Sequence, residues 1–397
     1  MNNFRKNLIN LCLTLCVLVT LAFVTIFAMF PRECIDFVQV MYLVKKDFRE
    51  PLSVGRMLDG AIAGLADAAD DHYTYYLTPD RNRLVAMASQ GYTGAIGVTV
   101  DGDKVMEDRL VIREVRPGSG AADAGLKPED AVIRVEDTPV RELTVDEAIA
   151  MIRGEPDTWV RLLIAREGEE DKEYRVKRTA TITLETVQAG ILKEDYLPGR
   201  RVAYVYIDYF AGNTWQLFDE HLDGVLEDGA EAVILDLRYN GGGDVAATAR
   251  IAGRLLPEGV LMRLALRDDE EVFYIRDAEP IGVPYAILVN GGSASASEIL
   301  AGAVQDAGAG LLVGTRTYGK GSVQSLYDLP TGSGLRVTEG RYYLPGGRCI
   351  DGEGIEPDFI VEMDDDGDQD DQMLAAIELL RKILDGESTV ESLLASK

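Results

Sequence analysis

Two apolar runs constrain this chain more than any other feature. Residues 232–237 and 285–289 are almost uninterrupted stretches of Ala, Val, Ile, Leu and Tyr. Strands without polar alternation are buried on both faces, as in a parallel sheet covered by helices. Each run leads into a glycine turn, Gly241-Gly242-Gly243 or Gly291-Gly292, and each turn opens a helical pattern, over 245–256 and to about Gln305. Residues 202–207, 311–313 and 322–327 read as further strands and 215–226 as a helix. The alternation over 181–363 predicts an α/β domain.

The second glycine turn is followed by Ser293-Ala294-Ser295-Ala296-Ser297-Glu298. A serine at a helix start, just past a strand and a tight turn, suits a nucleophile, because the helix N-terminus favours a developing oxyanion. The same residues fit a capping box, under which Ser295 only caps the helix. The chain holds two histidines, His72 and His221, neither near this stretch. A serine enzyme built here needs another base, and a desolvated lysine can serve. Lys320 lies 25 residues on, between Gly319 and Gly321. Flanking glycines permit close backbone approach; the plain alternative is a solvated surface lysine. Gln324, four residues further, is placed to hold the amine. Gly314-x-x-x-x-Gly319-Lys320 matches a phosphate loop only up to the lysine. Gly321 replaces the required Ser or Thr, and a strand pattern follows where a helix should, so nucleotide binding is rejected. The 241–243 turn lacks dinucleotide-binding spacing; its better use is as a backbone donor to an oxyanion.

Outside this domain the chain changes character. Residues 8–30 carry no charge, and 23 residues are enough to cross a bilayer. Arg5 and Lys6 precede the run and Glu33 and Asp36 follow it, which favours the N-terminus inside. Without an Ala-x-Ala site, residues 1–30 read as an uncleaved transmembrane anchor rather than a signal peptide, with the remainder outside the cytoplasm. Residues 31–90 read as helical. Phe37, Val40, Met41, Val44 and Phe48, then Met57, Leu58, Ile62 and Leu65, recur at helical spacing on either side of Pro51. These stripes read as core or as an oligomer face. Short strands at 98–100, 110–115, 132–135, 160–166 and 173–176 alternate with helices at 121–124 and 144–152, the latter opened by a Thr144/Glu147 capping box. Seven of the ten residues 362–371 are acidic, a solvated linker before an amphipathic helix at 373–384. The net charge of −27 excludes nucleic acid as a partner. Four cysteines, two of them inside the apolar run, give no disulfide framework.

The order of elements over 91–180 resembles a PDZ domain. Gly94-Ala95-Ile96-Gly97 stands where that family binds a chain-terminal carboxylate, and Gly125-Leu126-Lys127-Pro128-Glu129-Asp130 resembles one of its turns. Four further motifs resemble the C-terminal processing peptidases, also called tail-specific proteases: Asp236-Leu237-Arg238-x-Asn240-x-Gly242-Gly243, residues 292–299, Gly319-Lys320-Gly321-Ser322-Val323-Gln324, and Gly347-Arg348-x-Ile350-x-Gly352-x-Gly354-Ile355. Tyr318 stands where phenylalanine is common and Gly241 where proline is frequent. The resemblance implies a multidomain α/β chain in which a PDZ domain precedes a crotonase-like peptidase core (181–363), with an acidic linker and helix at 364–397. It implies Ser295 as nucleophile, Lys320 as general base and Gln324 as its orienting group, with oxyanion donors at the Ala296 N–H and at a glycine of 241–243, here taken as Gly242. It further implies no metal or other cofactor, protein substrates with free C-termini, gating by PDZ movement, and a homodimer built on the 33–67 helices and the C-terminal helix. Two other classes fit parts of the pattern: a silent PDZ scaffold, and a crotonase-like acyl-transfer enzyme for small thioesters.

Overall fold

The structure is a computed structural model. It describes residues 20–21, 24–50, 52–100, 109–142, 145–166, 168–194, 196–363 and 369–396. Most of the 8–30 run lies outside them, as do Pro51 and Thr144. Among the described residues no helix is long and apolar enough to cross a membrane. The chain divides into two compact units, residues 1–76 and 77–397.

The first unit contains the helices Pro31–Asp47 and Val54–Asp67. Pro31 starts the first with φ already suited to a helix, and the Ser53 hydroxyl caps the second by accepting the Arg56 N–H. Both stripes fall on these helices, but as exposed surface rather than core: Phe37, Val40, Val44, Phe48, Leu58, Ile62 and Leu65 all face solvent.

The second unit is built on the expected parallel sheet. Its order is Val187–Ile191, Val202–Ile207, Ala232–Asp236, Tyr285–Val289, Leu311–Gly314 and Phe359–Ile360, with only the first strand antiparallel to its neighbour. Side chains alternate between faces. Val233 and Leu235 join the core under helices Thr214–Glu227, Val245–Ala252 and Ala296–Ala307. Ala232 and Ile234 face the other way, against helix Asp371–Leu384. That last helix corrects an expectation. Its Met373, Ala376, Ile377 and Leu380 are buried on the chain's own sheet, so this stripe is core and not a dimer face.

Of a second, antiparallel sheet the sequence predicts only the strand at 322–327. Ser322–Asp328 pairs Gly334–Tyr343, which pairs Gly259–Leu266, which pairs Glu270–Ile275.

The PDZ-like sheet runs Val98–Val100, Leu110–Val115, Ala131–Val135, Trp159–Ala165 and Lys172–Lys177, close to expectation. Helix Gly120–Ala124 ends at Gly125, whose φ of 82° closes it as a left-handed cap. The domain leaves the core through a neck. Tyr92–Ala95 pairs antiparallel with Ala180–Thr183, and Ala95 opposes Ala180. Just inside the neck the buried Arg178 guanidinium donates to the carbonyls of Met151, Ile152 and Trp159. Burial lowers its pKa. It thereby satisfies carbonyls at the C-terminal end of helix Val145–Ile152, which a cation also complements electrostatically. Helix Pro79–Ser89 ties three parts together. Arg83 pairs with Glu155 of the PDZ-like domain at 2.8 Å, Asn82 Nδ2 donates to Asp328 Oδ1 in the antiparallel sheet, and the Ser89 carbonyl accepts the Gly212 N–H of the core.

Candidate active site

Strands Ala232–Asp236 and Tyr285–Val289 are parallel neighbours, with Asp236 opposite Leu288. Their glycine turns therefore emerge side by side at the carboxyl edge of the sheet, where α/β folds place their sites. Polar side chains fasten the turns together. Asn290 Oδ1 accepts the N–H groups of Tyr239 and Gly292, at 2.9 and 3.0 Å. The Ser293 hydroxyl donates to the Leu237 carbonyl at 2.7 Å, and the Ser297 hydroxyl donates to the Asn240 carbonyl at 2.9 Å. Of the three serines in the motif, Ser293 and Ser297 are fully buried and spend their hydroxyls on main chain; Ser295 is half-exposed.

Ser295 sits at φ 54°, ψ −114°. An N-cap residue ordinarily has β-region backbone, so capping alone does not account for this geometry. A non-glycine residue there costs on the order of 1–3 kcal/mol and persists where surrounding structure enforces it. The Ser295 N–H donates to Glu298 Oε2 at 2.9 Å, the reciprocal half of a capping box.

Glu298 does much more than cap. It is completely buried, and its carboxylate accepts four hydrogen bonds: from the N–H groups of Ser295, Gly319 (2.7 Å) and Lys320 (2.9 Å), and from the Thr317 hydroxyl (2.5 Å). One oxygen thus holds the backbones of Ser295 and Lys320 within two hydrogen-bond lengths of each other. The lysine loop is also packed from behind. A Cβ at Gly319 would lie 2.8 Å from the Gly354 nitrogen, and one at Gly321 would lie 2.6 Å from Asp351 Cβ. Only glycine fits either place, and Lys320 between them is half-buried. Gln324, on strand Ser322–Asp328, donates through Nε2 to Ser322 Oγ at 2.9 Å and Thr338 Oγ1 at 3.3 Å.

A Cβ at Gly242 would lie 2.8 Å from the Ala296 nitrogen, so this glycine abuts the helix start. Its N–H donates to Asn240 Oδ1 at 2.9 Å. Among the described residues, the N–H groups of Ala296, Gly241 and Gly243 have no hydrogen-bond partner. Tyr342 is fully buried beneath the site, and its hydroxyl donates to the Ser295 carbonyl at 3.4 Å. Burial, with the Glu298 charge second, pushes its pKa well above the ordinary tyrosine value.

In the PDZ-like domain, residues 95–100 line a cavity of about 250 Å³ with Ile149, Ile152 and Arg153. The Gly94 N–H is already accepted by the Gly154 carbonyl, and Ala95 belongs to the neck strand. The N–H groups of Ile96 and Gly97 have no partner among the described residues.

The sequence reading had Glu298 only as a helix cap and did not single out Asn290 or Tyr342. The first carried a signal, an acid one turn into a helix that starts at a candidate nucleophile. The other two act through contacts that only the fold creates.

Comparison with known proteins places the chain. The family described as Peptidase family S41 matches residues 201–361, and the PDZ domain family matches 85–165. A carboxyl-terminal-processing protease of Synechocystis is 34% identical over 321 residues, covering 81% of this chain and 74% of that one. One from Picosynechococcus is 31% identical over 352 residues, covering 86% and 84%. The chain belongs to the carboxyl-terminal-processing proteases of peptidase family S41. It is a serine peptidase, a multidomain α/β hydrolase with a PDZ domain ahead of its catalytic core.

Proposed function

We propose that Ser295 is the nucleophile, Lys320 the general base and Gln324 the group that orients the lysine. The strained backbone of Ser295 carries this reading, because a helix cap does not need it and a nucleophile elbow does. Glu298 supports it by drawing the lysine loop to the same carboxylate oxygen.

The Ser295 hydroxyl gives its proton to the neutral Lys320 amine as Oγ bonds to the substrate carbonyl carbon. The tetrahedral oxyanion is met by the Ala296 N–H and by the 241–243 turn. Gly242 is the glycine packed on Ala296, and it shares its N–H with Asn240 in that role. The carbon–nitrogen bond breaks as Lys320 returns the proton to the leaving amine, and water, deprotonated by Lys320, hydrolyses the acyl-enzyme.

Substrates are proteins or peptides whose C-terminus enters the PDZ groove. Ile96 and Gly97 offer free N–H groups to a carboxylate, flanked by the Ala95 and Gly94 backbone. Tethering there raises the effective concentration of the scissile bond, and movement of the domain gates the centre. The uncharged run 8–30 is read as a membrane anchor with the catalytic part outside the cytoplasm. The exposed stripes of the 31–67 helices are read as a homodimer face. Flotation of the full chain with vesicles tests the first, and its mass in detergent by light scattering tests the second.

The decisive experiment is degradation of an unfolded protein with an apolar C-terminal tail by the full chain in detergent. Ser295→Ala and Lys320→Ala are each expected to lower kcat at least about 10³-fold. Cleavage at undiminished rate in both variants would overturn the assignment.

A further inference from the structure

Two aromatic side chains at the centre have no part in the mechanism above. Among the described residues from 77 onward, Tyr239 and Tyr318 are the most exposed aromatics, at 77% and 60%. Both rest on the same short turn, the one that delivers Ser295. The Tyr239 N–H donates to Asn290, and a Cβ at Gly292 would lie 2.8 Å from Tyr239 Cα and 3.0 Å from its ring. The Tyr318 N–H donates to the Ser293 carbonyl at 3.0 Å, and Gly319 and Lys320 follow it directly.

Neither exposure is a by-product of easy folding. A tyrosine ring carries a large apolar area that burial would stabilise. Tyr239 also stands at φ 62°, the left-handed region that a bulky side chain rarely occupies. Asn290 holds it there while leaving its ring in water. Residues kept strained and exposed beside a reaction centre are typically those that meet a ligand.

We infer that Tyr239 and Tyr318 are specificity-determining residues, forming an aromatic rim that receives large apolar side chains flanking the scissile bond. The inference rests on Ser295 being the nucleophile. Each ring offers an apolar face with a hydroxyl left to solvent, so an extended substrate lying over the 290–295 turn covers both. Peptides with apolar residues at the cut gain binding from the rings; peptides with small polar residues there gain little.

The test uses the full chain in detergent and two quenched-fluorescence peptides. They share one apolar C-terminal tail and one cleavable bond, located by mass spectrometry, and differ in having Leu or Ser on both sides of it. The variants are Tyr239→Asn, which keeps a residue tolerant of the left-handed backbone, Tyr318→Ser, and the pair together. The ratio of kcat/KM for the Leu peptide over the Ser peptide is expected to fall about ten-fold in the double variant, mainly through KM on the Leu peptide. A purely structural role would lower both peptides alike and leave the ratio unmoved, which would overturn the inference; so would a ratio unmoved with both rates intact. Ser295→Ala is run alongside. If it still cleaves, the centre lies elsewhere and both readings fall. If it is inactive while the ratio stays constant, only the aromatic rim falls.

Discussion

Glu298 is the residue on which the site depends most. Its buried carboxylate accepts from three backbone N–H groups and from the Thr317 hydroxyl, which itself accepts the Ile355 N–H. Charge-assisted bonds of this kind are stronger than neutral ones, and buried donors left unpaired are costly. Glu298→Gln preserves the shape but turns two acceptor sites into an NH2 group that faces N–H donors. The expected cost is about 2–4 kcal/mol of stability, read as a lower urea midpoint at constant slope. Hydrolysis is expected to fall about 100-fold or more, because the Lys320 loop loses the contact that places it. A variant with the parent midpoint and rate would show that the carboxylate organises nothing. The sequence singles out Ser295 and Lys320 as candidates because their glycine-rich surroundings are themselves local patterns. It revealed Glu298 only as a cap, because residues 317–320 reach it across the fold.

At the scale of elements, the C-terminal helix is fastened by charge as well as by packing. Asp370 caps it through the Met373 N–H and also meets Arg238, which pairs with the buried Asp236 at the end of strand Ala232–Asp236. Burial is the largest single influence and works to raise the Asp370 pKa, but the hydrogen bonds from Arg238 and the Met373 and Gln372 N–H groups, with the Arg238 charge, together outweigh it and the net shift is downward from 3.8. A carboxylate whose folded pKa lies below its unfolded one adds stability that is complete above the unfolded value. That stability is lost as the pH falls through the folded one. Asp370→Asn retains a good cap and removes the charge. It should cost about 1 kcal/mol at pH 7, with the difference closing below about pH 4. Thermal unfolding of both proteins across pH 3–7 measures this, and a constant gap would refute it. Elements were legible where one short segment determined its own environment. The strands at 232–236 and 285–289 are apolar on both faces, and the amphipathic 371–384 helix announces its stripe. The helix's partner was not legible, since an apolar stripe fits a sheet or a second copy equally. Nor were Gly259–Leu266, Glu270–Ile275 and Gly334–Tyr343, whose mixed polarity matches half-exposed strands that pair across up to about 80 residues of chain.

For the molecule as a whole, the PDZ domain is an insertion held on a narrow base. Its two connections pair in register, Tyr92 with Thr183 through Ala95 with Ala180, so the chain leaves and re-enters the core at adjacent points. Two further ties are the backbone pair of Gly94 with Gly154 and the contact of Arg83 with Glu155, a partly exposed ion pair worth roughly 0–1 kcal/mol. The domain has its own core of residues such as Ile112, Val135, Leu162 and Val176. Removing 96–179 and joining Ala95 to Ala180 by a short glycine turn therefore leaves a hairpin rather than a torn sheet. The excised chain should keep the parallel sheet and the Ser295–Glu298–Lys320 arrangement intact, since the bonds to the Glu298 carboxylate come from Ser295 and from residues 317–320. If the groove captures chain ends, the loss must fall on substrates that have an apolar tail to present. The expected result is a drop of about 10²-fold or more in kcat/KM for a tailed protein, matching the effective concentration that tethering supplies, and a much smaller change for a short unselective peptide. Equal losses on both would mean that the domain acts by supporting the catalytic core and not by delivering substrate to it.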